Sequence, residues 1–176
     1  MPPGGRRRTG ATWGVLATCD AAYFTAQDPL ALQAARGARV VTARRREAPA
    51  APGVRAGVVV DSALDPREAA PLPAFPTTAL VLTEGRDGGS IQTASGTVRF
   101  ATPAGRDAPA SDLNGVGGSD GAGDSFAGAL AWHLAAGVSL PAACAAASWP
   151  GAAALSSPDP VAAHLTLPAA QAMRSP

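Results

Sequence analysis

The chain has 176 residues, 47% of them hydrophobic, and a formal net charge of +1 at pH 7. That length suffices for one domain with a buried core. A near-neutral balance gives no electrostatic reason to expect nucleic acid or an anionic membrane as partner. Lysine is absent, so arginine takes every basic role, and apolar runs such as Ala142 to Ala147 fall far short of a membrane span.

Residues 1–20 read as a disordered or poorly packed lead-in, rich in Pro, Gly and Arg up to Thr12. The arginines near the start have no apolar run behind them, so no signal peptide is expected. A single domain is expected over 21–176. Ala21 to Thr25 reads as a short strand. Asp28 follows as an N-cap with Pro29 at the first helical position, and Gly37 stands where a C-terminal helix glycine belongs. Arg39 to Thr42 is a second strand, which completes a strand–helix–strand unit. Residues 44–55 form a polar connection. Its Arg44-Arg45-Arg46 run could attract phosphate, but a solvated loop is the simpler reading.

Gly57 to Val60 is an apolar run of the kind found in the middle of a parallel sheet. Asp65-Pro66-Arg67-Glu68 predicts a short helix that stops near Pro71 and Pro73, with Glu68 in capping-box position. Ala79 to Thr83 is a further buried strand, and Ser90 to Thr93 and Thr97 to Ala101 form a hairpin around Ser95-Gly96. A long loop, Thr102 to Asp120, leads to a helix from Gly123 or Asp124 to Ala136, ended by Gly137. Ser139 and Pro141 open another, alanine-rich helix that is expected to break at Pro150-Gly151. Alternating strands and helices predict an α/β fold with a mostly parallel sheet. Cys19 and Cys144 fit no metal-ligand spacing and read as free thiols in a reducing cytoplasm.

The segment with chemistry in it is Gly121-Ala122-Gly123-Asp124. Two glycines let the backbone turn tightly and approach a ligand closely. The free amides of a helix start, with the positive end of its dipole, make an anion site. A carboxylate beside them can accept a proton from a substrate hydroxyl. Together these are what phosphoryl transfer needs from a protein: stabilised charge and a base. A short glycine motif is also compatible with a plain small-residue helix entry capped by Asp124.

Gly121-Ala122-Gly123-Asp124-Ser125-Phe126, followed by Ala127-Gly128-Ala129, resembles the C-terminal signature of the PfkB/ribokinase carbohydrate kinases. Upstream, Leu82-Thr83-Glu84-Gly85-Arg86-Asp87-Gly88 resembles that family's nucleotide loop at a strand end. Ser62 to Glu68 resembles its Asn-x-x-Glu element, with Asp65 in place of Asn. The resemblance runs from about Ala21 to Pro168 in matching order. It implies a ribokinase-like layered α/β/α fold with a mostly parallel sheet, N-terminally truncated. It also implies an ATP-dependent phosphotransferase acting on a hydroxyl of a sugar or nucleoside. Asp124 would be the base, and Gly121, Ala122 and Gly123 would present amides to the phosphoryl. Thr83, Gly85 and Gly88 would border ATP, and Glu68, with Asp65, would hold Mg²⁺ through water. The family's lid often forms a dimer contact, so the oligomer this resemblance allows is a homodimer.

The chain departs from the family in two places. No sugar-binding aspartate, Gly-Gly signature or β-lid is found before Ala21, so the acceptor side is expected to be missing. Before the motif stands Gly118-Ser119-Asp120 where the family has Asp-Thr-x, which speaks against K⁺ activation. Two alternatives therefore stand beside the kinase reading: a catalytically incomplete nucleotide-binding remnant, and an α/β interaction module. His133, His164 and the three tryptophans read as packing or surface residues.

Overall fold

The computed structural model describes residues 10–26, 28–44, 56–69, 77–102 and 121–154. Six strands form one sheet: β1 (Ala21–Phe24), β2 (Val40–Arg44), β3 (Ala56–Ser62), β4 (Thr77–Thr83), β5 (Gly89–Thr93) and β6 (Gly96–Phe100). They lie in sequence order. β1 to β4 pair in parallel, and β5 and β6 close one side as an antiparallel hairpin. The helices are α1 (Pro29–Ala35), α2 (Pro66–Ala69), α3 (Ala122–Ala135) and α4 (Leu140–Ala154).

Strand alternation sorts the core into two layers, since successive side chains point to opposite faces. On one face Val41, Ala43 and Val59 pack with Leu32 and Ala35 of α1 and with Phe24. On the other, Val58, Val60, Val81 and Ile91 meet Phe126, Ala127 and Leu130 of α3 and Ala143 and Ala147 of α4. This is the expected α/β/α layering. Thr42, fully buried, donates from Oγ1 to the Ala127 carbonyl at 3.1 Å and pins α3 to the sheet. The rings of Phe100 and Phe126 stack with centroids 6.1 Å apart, tying the hairpin to the same helix.

Local signals account for most boundaries. Asp28 caps α1 by accepting from the Leu30 amide at 2.9 Å and the Ala31 amide at 3.4 Å, with Pro29 at the first position. Gly137, at φ +84°, ends α3 in the left-handed region as expected. Gly37 does not adopt that conformation. Its missing Cβ instead admits Ala17, whose amide nitrogen would stand 3.2 Å from such an atom. Ala17 belongs to a 3-10 segment, Gly10–Thr18, which supplies Leu16 to the core within the expected lead-in.

The expected break in α4 is overturned as well. α4 does not break at Pro150-Gly151 but runs through both to Ala154. An interior proline costs one helix hydrogen bond, yet Gly151 brings the helix against α3. A Cβ there would stand 3.2 Å from the Ala122 carbonyl and 3.3 Å from Phe126 Cβ. Ala147, Gly151 and Ala154 are buried on this side, so close helix–helix packing outweighs the missing bond. The readings made for residues 45–55, for Pro71 and Pro73, for the loop over 103–120 and for His164 lie outside the described residues. Among the described residues no helix is long and apolar enough to cross a membrane.

Candidate active site

The carboxyl ends of the parallel strands face the start of α3, the end of an open α/β sheet at which ligands bind. Gly121 precedes the helix at φ +92°, ψ −22°, a conformation that favours glycine. Its carbonyl accepts from the Ser125 amide at 2.8 Å. No side-chain cap bond is made at this helix start among the described residues. The amides of Ala122, Gly123 and Asp124 therefore lie in a first turn that offers them no intrahelical acceptor. With the helix dipole behind them, they have the form of an anion site.

Asp124 is exposed in this first turn. The Tyr23 hydroxyl, from β1, donates to its Oδ1. Tyr23 shares the α3-facing side of the sheet with Thr42 and Arg44 of β2. Arg44 extends from the end of β2 across the turn. A Cβ on Gly123 would overlap Arg44 Nη1 and stand 3.0 Å from the guanidinium carbon. Arg44 Nη2 donates to Glu68 Oε1, and the Ser62 amide donates to Glu68 Oε2 at 2.6 Å. The Glu68 side chain is 1% exposed and that of Arg44 16%. Burial works against the charge on Arg44. The hydrogen bond to Glu68 and its negative charge, with smaller contributions from Tyr23 and Asp124, outweigh burial and raise the guanidinium's pKa.

The structure thus links several residues singled out from the sequence. Gly123 and Asp124 connect through Arg44 to Glu68, and Glu68 connects to Ser62, whose strand partner is Thr83. Thr83 ends β4 and donates from Oγ1 to the Asp61 carbonyl at 3.1 Å. Gly85 and Gly88 follow it, at φ +61° and +81°. Gly88 has a firm packing reason to be glycine, because a Cβ there would overlap the Phe100 carbonyl. A Cβ on Gly89 would stand 2.7 Å from the Phe100 ring. Asp65 accepts the Glu68 amide on its backbone carbonyl at 2.9 Å. The Glu68 carboxylate turns to the strand ends, so its place is explained by Ser62 and Arg44 and not by a capping box alone.

Arg44 and Tyr23 are the residues that sequence reasoning missed. Arg44, expected in a solvated loop, closes β2 and is half-buried. The available signal was its two-residue offset from Thr42, which puts both on one face of a strand. Tyr23, the chain's only tyrosine, sits one place before the buried Phe24 and so faces the opposite side.

Glu68 and Asp65, expected to hold Mg²⁺ through water, do not by themselves make a site that binds the ion directly. Glu68 is nearly inaccessible, and one of its oxygens is already paired with a guanidinium that would repel a second cation. Among the described residues no cluster of three or more His, Cys, Asp or Glu could hold a metal.

The sheet order, the antiparallel hairpin at its side and the glycine-started helix over the strand ends are those of the ribokinase-like fold. The chain is similar to the ribokinase of Thermotoga maritima, at TM-score 0.63 and 14% identity, over 92% of this chain and 58% of that one. It is similar to the adenosine kinase of Sinorhizobium meliloti, at TM-score 0.66 and 14% identity, over 92% and 56%. A third is the aminoimidazole riboside kinase of Salmonella enterica, solved with its riboside and an ATP analogue, at TM-score 0.59 and 20% identity over 89% and 63%. At these identities the likeness is one of fold, and the chain spans little more than half the length of the first two. No protein-family model and no curated protein matches the sequence.

Proposed function

We propose that this chain is the nucleotide- and phosphate-handling part of an ATP-dependent phosphotransferase of the PfkB/ribokinase type. It moves the γ-phosphoryl of ATP to a hydroxyl of a sugar or related small molecule. The observation that carries the reading is the hydroxyl of Tyr23 donating to Asp124 in the first turn of α3. That carboxylate already accepts from an O–H group, which is what a general base does to an acceptor hydroxyl. In the reaction the acceptor's hydroxyl takes the place of Tyr23 on Asp124. Its oxygen bonds to the γ-phosphorus, the bond to the ADP oxygen breaks, and the proton passes to Asp124. The first-turn amides of Ala122, Gly123 and Asp124 receive the charge spread over the transferring oxygens. Thr83, Gly85 and Gly88 border the nucleotide. ATP arrives as its Mg²⁺ chelate, so the metal comes with the substrate. The site residues proposed for this chain are therefore Asp124, the 121–123 turn and the 83–88 loop.

The test is phosphoryl transfer by the purified chain with MgATP and a panel of sugars and nucleosides. Asp124→Asn is expected to lower kcat by roughly 10²- to 10⁴-fold, the usual worth of a general base, with nucleotide affinity retained. Equal rates for the variant and the parent chain would refute the base assignment. A second reading is favoured by the 58% coverage of ribokinase: a nucleotide-binding chain without turnover of its own. ATP would then raise the melting temperature while no product forms.

A further inference from the structure

We infer that Arg44 is a phosphoryl-contacting residue of this site, and that an anion bound at the 121–123 turn draws its guanidinium away from Glu68. The inference rests on the phosphate-site reading above and adds to it a residue and a charge.

Three observations carry it. The first is position. The guanidinium lies over Gly123 so closely that any side chain there would collide with it. Gly123 is thus a glycine not only for the approach of a ligand but also because a cation already occupies that approach. The second is chemistry. Backbone amides and a helix dipole supply only partial charges, and a triphosphate terminus brings about two negative ones. A guanidinium offers a full charge and a planar fork that matches two phosphoryl oxygens at once. With no lysine in the chain, arginine is the only side chain that can bring such a permanent charge to this turn. The third is the present partner. Glu68 Oε1 takes the fork while Oε2 keeps the Ser62 amide. When phosphate draws the fork away, Glu68 remains hydrogen-bonded and Arg44 has no need to leave the pocket, since Gly123 and Glu68 are both within its reach.

A purely architectural ion pair predicts something different. It would make Arg44 and Glu68 equivalent, and loss of either would loosen the site. If Glu68 instead competes with the anion for one guanidinium, the two substitutions move affinity in opposite directions.

The experiment is calorimetric titration of the full chain with sodium tripolyphosphate, without metal, and separately with MgATP. Parent, Arg44→Gln, Arg44→Lys and Glu68→Gln proteins are compared at low ionic strength. Arg44→Gln is expected to weaken tripolyphosphate binding by about tenfold or more, the scale of one charge-assisted fork. Arg44→Lys, which keeps the charge and the pairing with Glu68, should fall between, and it decides the matter where the glutamine variant does not fold. Glu68→Gln should tighten tripolyphosphate binding by roughly threefold or more, because the competing charge is gone. Parent affinity in both Arg44 variants, or a weakening by Glu68→Gln, would overturn the role of Arg44 while leaving the phosphate site standing. A parent chain that binds neither ligand would instead overturn the phosphate-site reading, and this inference with it.

Discussion

Replacing Glu68 with alanine removes the counter-charge of Arg44 and the acceptor of the Ser62 amide in one step. The Glu68 side chain is 1% exposed, so water cannot replace it fully at either partner. A buried amide left without an acceptor costs about 1–2 kcal/mol. Stripping one member from a buried ion pair costs about 3–5 kcal/mol. Arg44 retains 16% exposure and recovers part of its hydration, so the combined loss belongs near the lower end, about 4 kcal/mol. Alanine's better helix propensity in α2 returns at most a few tenths of a kcal/mol. Of a total stability of about 5–15 kcal/mol, that is a large share. For a chain of this size the melting temperature should fall by roughly 8–16 °C. Thermal denaturation followed by circular dichroism reads this directly. A cycle with Arg44→Ala and the double variant isolates the pair, with an expected coupling of about 2 kcal/mol. A loss under 1 kcal/mol for Glu68→Ala, or additive single variants, would refute the view that this pair anchors the strand ends.

Further outcomes concern two glycines and the buried thiol. Gly88→Ala should cost about 2–4 kcal/mol, because its Cβ would overlap the Phe100 carbonyl and stand 2.9 Å from Ala101 Cα at a φ of +81°. Gly85→Ala, with only Leu64 Cδ1 at 3.5 Å, should cost about 1 kcal/mol, and the reverse order in chemical denaturation would contradict the packing. Burial pushes the Cys144 thiol up to about 12, so at pH 8 a thiol reagent should modify the half-buried Cys19 well before Cys144 in the native protein. The same shift has a sign: above an unfolded thiol pKa of about 8.5 the unfolded chain loses a proton that the native one keeps. Stability should therefore decline by about 1.4 kcal/mol per pH unit from there up to the native value, and a Cys144→Ala protein with the same slope would show the thiol is not the cause.

Much of this architecture was legible because it is local. Asp28 with Pro29, the apolar Val58 to Val60 run and Gly137 each declare an element from within a few residues, and each holds in the structure. The 121–124 turn was legible for the same reason, since a helix start with two glycines is a short-range pattern. What was not legible depends on partners far along the chain. Arg44, at the end of β2, meets Glu68 of α2 and Gly123 at the start of α3, and no spacing in the sequence announces either contact. Tyr23 reaches Asp124 in the same way. Pro150 shows the converse error: its local cost was read correctly, but the close approach of Gly151 to α3 that outweighs it exists only in the folded protein.

The ring of Phe100 lies against Gly89, which opens β5, and stacks on Phe126, two residues beyond Asp124. One side chain thus fastens the start of the hairpin to the first turns of α3, two segments more than thirty residues apart in the chain.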